Sequence, residues 1–241
     1  MSVSSKRYYD PSMQHYIADG VMGLSDERAA VQFLDDFLGD TLSADHFAVD
    51  ASTGASVAIS ETPNGVVRFA TDTDDDDHAT LVGALNLKLN TPGWLEVRLR
   101  QVTAATLRAV EVGLSDAKSE ANGLAFASPN TPTAVATDAV VFGYNTDEDA
   151  HWHLLSVNNG MAQTTGLAAA HDAAADTWQV LRLEWDAAAN VTFYLDRARV
   201  GAHAAAVRTT IPLCVWITLK SLSGAAKAMD VDYVAYAYDR A

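Results

Sequence analysis

Three groups of residues have types and spacings that could support chemistry. Trp94, Glu96, Arg98 and Arg100 alternate along WLEVRLRQV (94–102) and face one way, with Arg182 and Glu184 as candidate neighbours. On a concave sheet such a polar-aromatic stripe would stack on a sugar ring and hydrogen-bond its hydroxyls. The competing expectation is cross-strand ion pairing on a solvated face. His151 and His153 flank Trp152 and share a strand face. Two imidazoles so placed can reach one metal ion, but no third ligand accompanies them, and exposed or interface histidines are expected. Asp72, Asp74, Asp75, Asp76 and Asp77 offer carboxylate oxygens of the kind calcium takes. The run lacks the glycine and closing glutamate of an EF-hand loop, so a solvated acidic loop is expected. The sequence shows no Ser/His/Asp order, phosphate loop or CxxC motif. No cofactor or metal site is expected, with structural calcium as the one candidate ion.

The elements that would position these groups are strands. The stretch 178–201, WQVLRLEWDAAANVTFYLDRARVG, holds two period-2 patterns around a short turn. Leu181, Leu183 and Trp185 oppose Arg182, Glu184 and Asp186; Val191, Phe193 and Leu195 oppose Thr192, Tyr194 and Asp196. This alternation marks half-buried strands, and DAAAN joins them as a hairpin. Further strands are expected at 31–37, 46–50, 56–60, 66–70, 79–90, 94–102, 107–115, 123–127, 139–145, 151–160, 211–222 and 229–239. TPNG (62–65) reads as a turn and SPNTPT (128–133) as a loop. The Ala-rich LAAAHDAAAD (167–176) reads as a helical turn or a plain loop. About a dozen one-sided strands with almost no helix bury their apolar faces best as a sandwich. No period of 20–50 residues suggests a propeller or solenoid.

The chain has 241 residues, 49% of them hydrophobic, and a formal net charge of -15 with an isoelectric point near 4.6. A single domain of this length can hold a large core. The acidic balance argues against nucleic acid and against anionic membrane surfaces. It favours solubility, and a basic partner or bound cations. The single cysteine, Cys214, excludes an internal disulfide framework and reads as a small buried hydrophobe. No signal-peptide core and no apolar run near 20 residues is visible, so synthesis in the cytoplasm is expected. Residues 1–30 lack strand alternation and mix Lys6, Arg7, Tyr8, Tyr9 and Tyr16 with Pro11 and Gly20. A helical turn near 25–31 is plausible. Tyrosine and arginine on a segment too polar to fold alone suit a docking arm, with a frayed terminus as the competing expectation.

W..LRLEWD...NVTFYLDR..V, followed by a long apolar strand and a closing DVDYV, resembles concanavalin A-like (laminin G-like) jelly rolls. The opening FLDDFLGDTL resembles the first strand of such domains. Within that group the chain is most similar to domains of tailed-bacteriophage virion proteins, which serve as capsid decoration proteins, head fibres or tail components. The resemblance covers about residues 31–239. It implies an all-β fold: a two-sheet antiparallel jelly-roll sandwich over 31–241, with residues 1–30 as an extended N-terminal arm. It also implies adjacent first and last strands, bringing Asp35 and Asp36 near Asp230 and Asp232, where strand-edge solvation is expected and a structural ion between the terminal strands is the alternative. Some relatives are glycosidases with ExDxxE on one strand. Here the nearest string is EWDAAAN (184–190), where Glu184 and Asp186 share a face but no third acid follows. Retaining hydrolysis needs two carboxylates about 5 Å apart, so no enzymatic role is expected.

These readings predict a capsid decoration or cement protein on the virion surface. Arg7, Tyr8, Tyr9 and Tyr16 of the arm would dock on the major capsid protein. Self-association, with a trimer at local symmetry axes as one form, would hide edge strands. The alternative is a glycan-binding, lectin-like module of a tail or fibre, using Trp94, Glu96, Arg98 and Arg100.

Overall fold

The computed structural model describes residues 30–60, 65–103, 105–120, 123–131 and 133–239. The arm residues Arg7, Tyr8, Tyr9 and Tyr16, most of the helical turn expected near 25–31 and most of the turn at 62–65 lie outside them; Ala30 and Val31 are strand. Seventeen strands are described: β1 (Ala30–Asp35), β2 (Phe47–Ala51), β3 (Ser56–Ser60), β4 (Val66–Ala70), β5 (His78–Gly83), β6 (Gly93–Gln101), β7 (Arg108–Ser115), β8 (Phe126–Ser128), β9 (Thr133–Ala134), β10 (Asp138–Asn145), β11 (Asp149–Asn158), β12 (Met161–Gly166), β13 (Trp178–Trp185), β14 (Val191–Leu195), β15 (Ala198–His203), β16 (Cys214–Ser221) and β17 (Ala228–Asp239). The Ala-rich stretch forms a 3-10 turn, Ala169–His171.

The strands build the expected antiparallel jelly-roll sandwich. The first sheet runs β15-β14-β13-β6-β17-β4-β3, with β1 also on β17; the second runs β12-β11-β10-β7-β16-β5-β2. β1 lies along residues 234–239 of β17 and β4 along 228–231, so the first and last strands are neighbours as expected. The hairpin of β13 and β14 pairs Trp185 with Val191 across the DAAAN turn. Strict alternation along both strands sends Leu181, Leu183, Trp185, Val191, Phe193 and Leu195 inward. Between the sheets, Phe142 meets Trp152 and Phe193 edge-on, at 6.3 and 5.3 Å between ring centres.

The second sheet departs from one-sided burial. Every residue of β7, β10 and β16 is buried, because the segment carrying β8 and β9 folds over the outer face. There Ala125, Phe126 and Ala136 pack against Val82, Val141, Leu155, Val157, Cys214 and Trp216 as a second apolar cluster. Three strand expectations need correction. Of the run 123–127 only Phe126 and Ala127 are strand, as the start of β8. The run 79–90 is not one strand: the ladder stops at Gly83 and resumes only as a single bridge from Leu87 to Leu213, while Leu87 and Leu89 enter the main core and Leu85 joins the outer cluster. The run 211–222 becomes ladder at Cys214. β12 was not foreseen, since MAQTTG carries no apolar alternation; it is an edge strand, with Met161 77% exposed.

Phe193→Ala should cost about 3–5 kcal/mol in urea denaturation, whereas Met161→Ala should stay within about 0.5 kcal/mol.

Candidate functional site

The outer face of the first sheet carries the predicted stripe. β6 and β13 pair so that Trp94 lies opposite Glu184, Glu96 opposite Arg182, and Arg100 opposite Trp178. Period-2 geometry then forces all of them to the same side. The Arg182 guanidinium stands 4.5 Å over the Trp94 ring, and Arg98 and Arg100 stand 4.6 and 4.9 Å over Trp178. Each such stack is worth about 0.5–1 kcal/mol at an exposed site. Arg182 also donates to Glu96 (3.3 Å) and Glu184 (2.8 Å), and the Tyr233 hydroxyl donates to Glu96 at 2.7 Å. Arg98 donates to Asp232 at 2.5 Å. Fully buried Asp230 accepts from Arg68 (2.8 and 3.0 Å) and from Arg100 (2.9 and 3.1 Å). The expected cross-strand ion pairing is therefore present, and guanidinium groups lie over the indoles. Trp178, Tyr233 and Arg68 were not anticipated as members of this face. The alternation of WQVLRLEW placed Trp178 on it, but nothing local places Arg68 beside Asp230, 162 residues away.

On the second sheet, Glu111 is the central polar group, and the sequence reading missed it. A lone acid inside the apolar strand LRAVEVGLS is the signal that would have found it. Its carboxylate accepts from the backbone N–H of Ala125 (2.6 Å) and Phe126 (2.8 Å) and from Trp216 Nε1 (3.0 Å). It thereby fastens the segment carrying β8 and β9 to the sheet. Burial pushes its pKa up to about 7, against the opposing effect of the three donors. A carboxyl poised near neutrality is chemically suited to acid–base work. This one is enclosed. Beside it, Gly143 separates Glu111 from His153 in register, and the cavity left there measures 10 Å³, about the room for a single water.

The other candidates are placed as follows. Asp35 lies opposite Val234 and accepts from the Phe37 N–H at 2.9 Å, while Asp230 is held between Arg68 and Arg100. The expected meeting of Asp35 with Asp230 is thus corrected, because β1 lies along the later half of β17; the register brings the end of β1 two residues from Asp232 instead. Asp186 accepts from the Ala188 and Asn190 N–H groups and shapes the hairpin turn, while Glu184 pairs with Arg182. His151 and His153 point to separate carboxylates, His151 to Asp172 at 2.7 Å and His153 to Asp149 at 3.0 Å. Cys214 is fully buried, and burial pushes its thiol up to about 12. Of the acidic run, Asp72, Asp74 and Asp77 converge, while Asp76 pairs with Lys220 at 2.8 Å.

No protein-family profile matches the chain, and no curated protein matches it. Solved structures do. A Shewanella oneidensis protein of unknown function is similar at 12% identity and a TM-score of 0.62, over 96% of this chain and 95% of that one. A Bacillus licheniformis β-glucanase is similar at 11% and 0.58, over 85% and 97%. The Emp47p carbohydrate recognition domain is similar at 8% and 0.58, over 90% and 99%. At these identities the likeness shows the fold, a concanavalin A-like sandwich that lectin domains and family-16 glycoside hydrolases share. The expectation of no enzymatic role is thereby corrected: several further neighbours are glycoside hydrolases, so a missing third acid in one strand does not separate this chain from folds that hydrolyse glycans.

Two buried groups give opposite pH dependences. Glu111 has its folded pKa raised, so its stabilising contribution is complete below about pH 4.5 and is lost as pH rises through 7. Burial lowers His203 to about 4, so its contribution is complete above pH 6.5 and is lost as pH falls through 4. Glu111→Gln should therefore gain stability relative to wild type between pH 5 and pH 8 in chemical denaturation. An unchanged difference would contradict the burial effect. Glu111→Ala, which strands three donors, should cost about 3 kcal/mol or more.

Proposed function

We propose that the chain is a structural protein of a bacteriophage virion, a capsid decoration protein held on the major shell by surface recognition. The observation that carries this reading is the occupancy of both outer sheet faces by the protein's own groups. The segment carrying β8 and β9 covers β7, β10 and β16 of the second sheet, leaving beside Glu111 a pocket with room for about one water, and arginines paired to carboxylates cover the indoles of the first. Recognition then falls to edges, loops and the arm. Leu34 and Leu38, 38% and 61% exposed, lie where the chain enters the body next to residues 1–29. That is where a docking arm built on Arg7, Tyr8, Tyr9 and Tyr16 would continue onto the sandwich. β12 is an outlying strand of the second sheet, and a homo-oligomer would cover such edges. The charge of -15 suits a basic partner surface.

Likeness to a carbohydrate recognition domain favours a second reading, in which Trp94, Glu96, Arg98 and Arg100 bind a glycan. Sugar would then have to displace Arg182 from Trp94.

Quantitative mass spectrometry of purified particles should find the protein in numbers comparable to the major shell protein. Absence from particles would overturn the virion reading. On a glycan array, binding by wild type that Trp94→Ala loses would favour the second reading.

A further inference from the structure

The connection between β4 and β5 crosses from one sheet to the other and carries an unbalanced group of carboxylates. Its ends are pinned: the Thr71 N–H donates to the Lys227 carbonyl at 3.0 Å, and the Ser221 N–H donates to the Asp77 carbonyl at 2.8 Å. Between these pins, Asp72, Asp74 and Asp77 each present a carboxylate oxygen, and the three oxygens lie within 4.8 Å of one another. Calcium–oxygen distances are about 2.3–2.6 Å, so ligands on opposite sides of one ion stand about 4.6–5.2 Å apart. The spread of this group fits inside one coordination sphere.

A second observation separates the group from an ordinary acidic loop. Asp77 is only 8% exposed, and its Oδ2 is buried without a hydrogen-bond partner. Its carboxyl group faces that of Asp72. Two carboxylates held together, one buried and incompletely satisfied, need a proton or a cation between them. Lys220, the nearby cation, is engaged by Asp76 instead. The backbone also makes room for the arrangement. Gly54, in the β2–β3 turn at φ +89°, lies under Asp72, where a Cβ would come within 2.0 Å of Oδ2. Asp74 folds back so that its N–H donates to Asp72 Oδ1 at 2.7 Å, which brings the third acid in.

We infer that Asp72, Asp74 and Asp77 bind a divalent cation, with calcium preferred, which holds the two ends of the β4–β5 crossover together above Gly54. Three carboxylates and no nitrogen or sulfur form a hard-oxygen site, and water completes the six to eight ligands calcium takes. Magnesium, which demands near-ideal octahedral geometry at about 2.0–2.1 Å, fits such a spread of side chains less well.

Thermal unfolding and calorimetric titration test it at constant ionic strength. Calcium at a few millimolar should raise the Tm of the chelator-treated full chain above a matched potassium chloride control, and should do so more than magnesium. Exposed Asp74 gives the cleanest variant, since Asp74→Asn leaves the buried carboxylates in place; it should weaken calcium binding at least tenfold. Asp75→Asn, in the same loop but outside the group, should bind as wild type does. Absence of calcium heat and of any Tm shift would overturn the site. Equal losses in Asp74→Asn and Asp75→Asn would also overturn it, by showing diffuse counterion attraction to an acidic loop.

Discussion

The closure of the second sheet depends on one carboxylate. Glu111 lies at the centre of β7, flanked by β10 and β16, and its oxygens receive two backbone N–H groups and an indole N–H. An unpaired carboxylate at this depth would be costly, so side chain and covering segment require each other. Without the segment carrying β8 and β9, Trp216, Val141, Leu155 and Val157 would form an exposed apolar face. Without Glu111, the N–H groups of Ala125 and Phe126 would be buried and unpaired. The second apolar cluster and the burial of β7, β10 and β16 on both faces follow from this mutual need.

The first sheet solves the opposite problem. Its outer face remains partly solvated, and charge holds it together. Asp230 is the anchor there: wholly buried, it is tolerable because two guanidinium groups satisfy it. From it the pairing extends through Arg100 and Arg98 to Trp178, and a second set joins Arg182 to Glu96, Glu184 and Trp94. The net result is a stiff surface with its polar groups paired internally. Such a surface is suited to presenting a fixed shape to a partner, and a ligand seeking its indoles must compete with resident arginines.

Legibility of the sequence followed the range of the interactions. The hairpin of β13 and β14 was readable because alternation is local, and so was the outward direction of Trp94, Glu96, Arg98 and Arg100. The adjacency of β1 and β17 was read from resemblance. What escaped was non-local. One-sided strands were expected throughout, yet β7, β10 and β16 are buried on both faces because a distant segment covers them. Glu111 went unremarked for the same reason: nothing local announces the segment that it holds. Asp35 and Asp230 were expected together, but register along a twelve-residue strand decides such meetings, and it set Asp35 opposite Val234. Of the five aspartates from 72 to 77, three converge, a selection made by the path of the loop over Gly54 and not by spacing.

Amide hydrogen exchange at Ala125 and Phe126 tests the central claim that the second sheet is permanently sealed. If the Glu111 latch closes that face, both amides should exchange only through global unfolding, as slowly as the amides of β7 and β16. Exchange several orders of magnitude faster, with the strands of the sheet still protected, would show a segment that opens locally. The face beneath it would then be an accessible cleft, and permanent sealing by Glu111 would be contradicted.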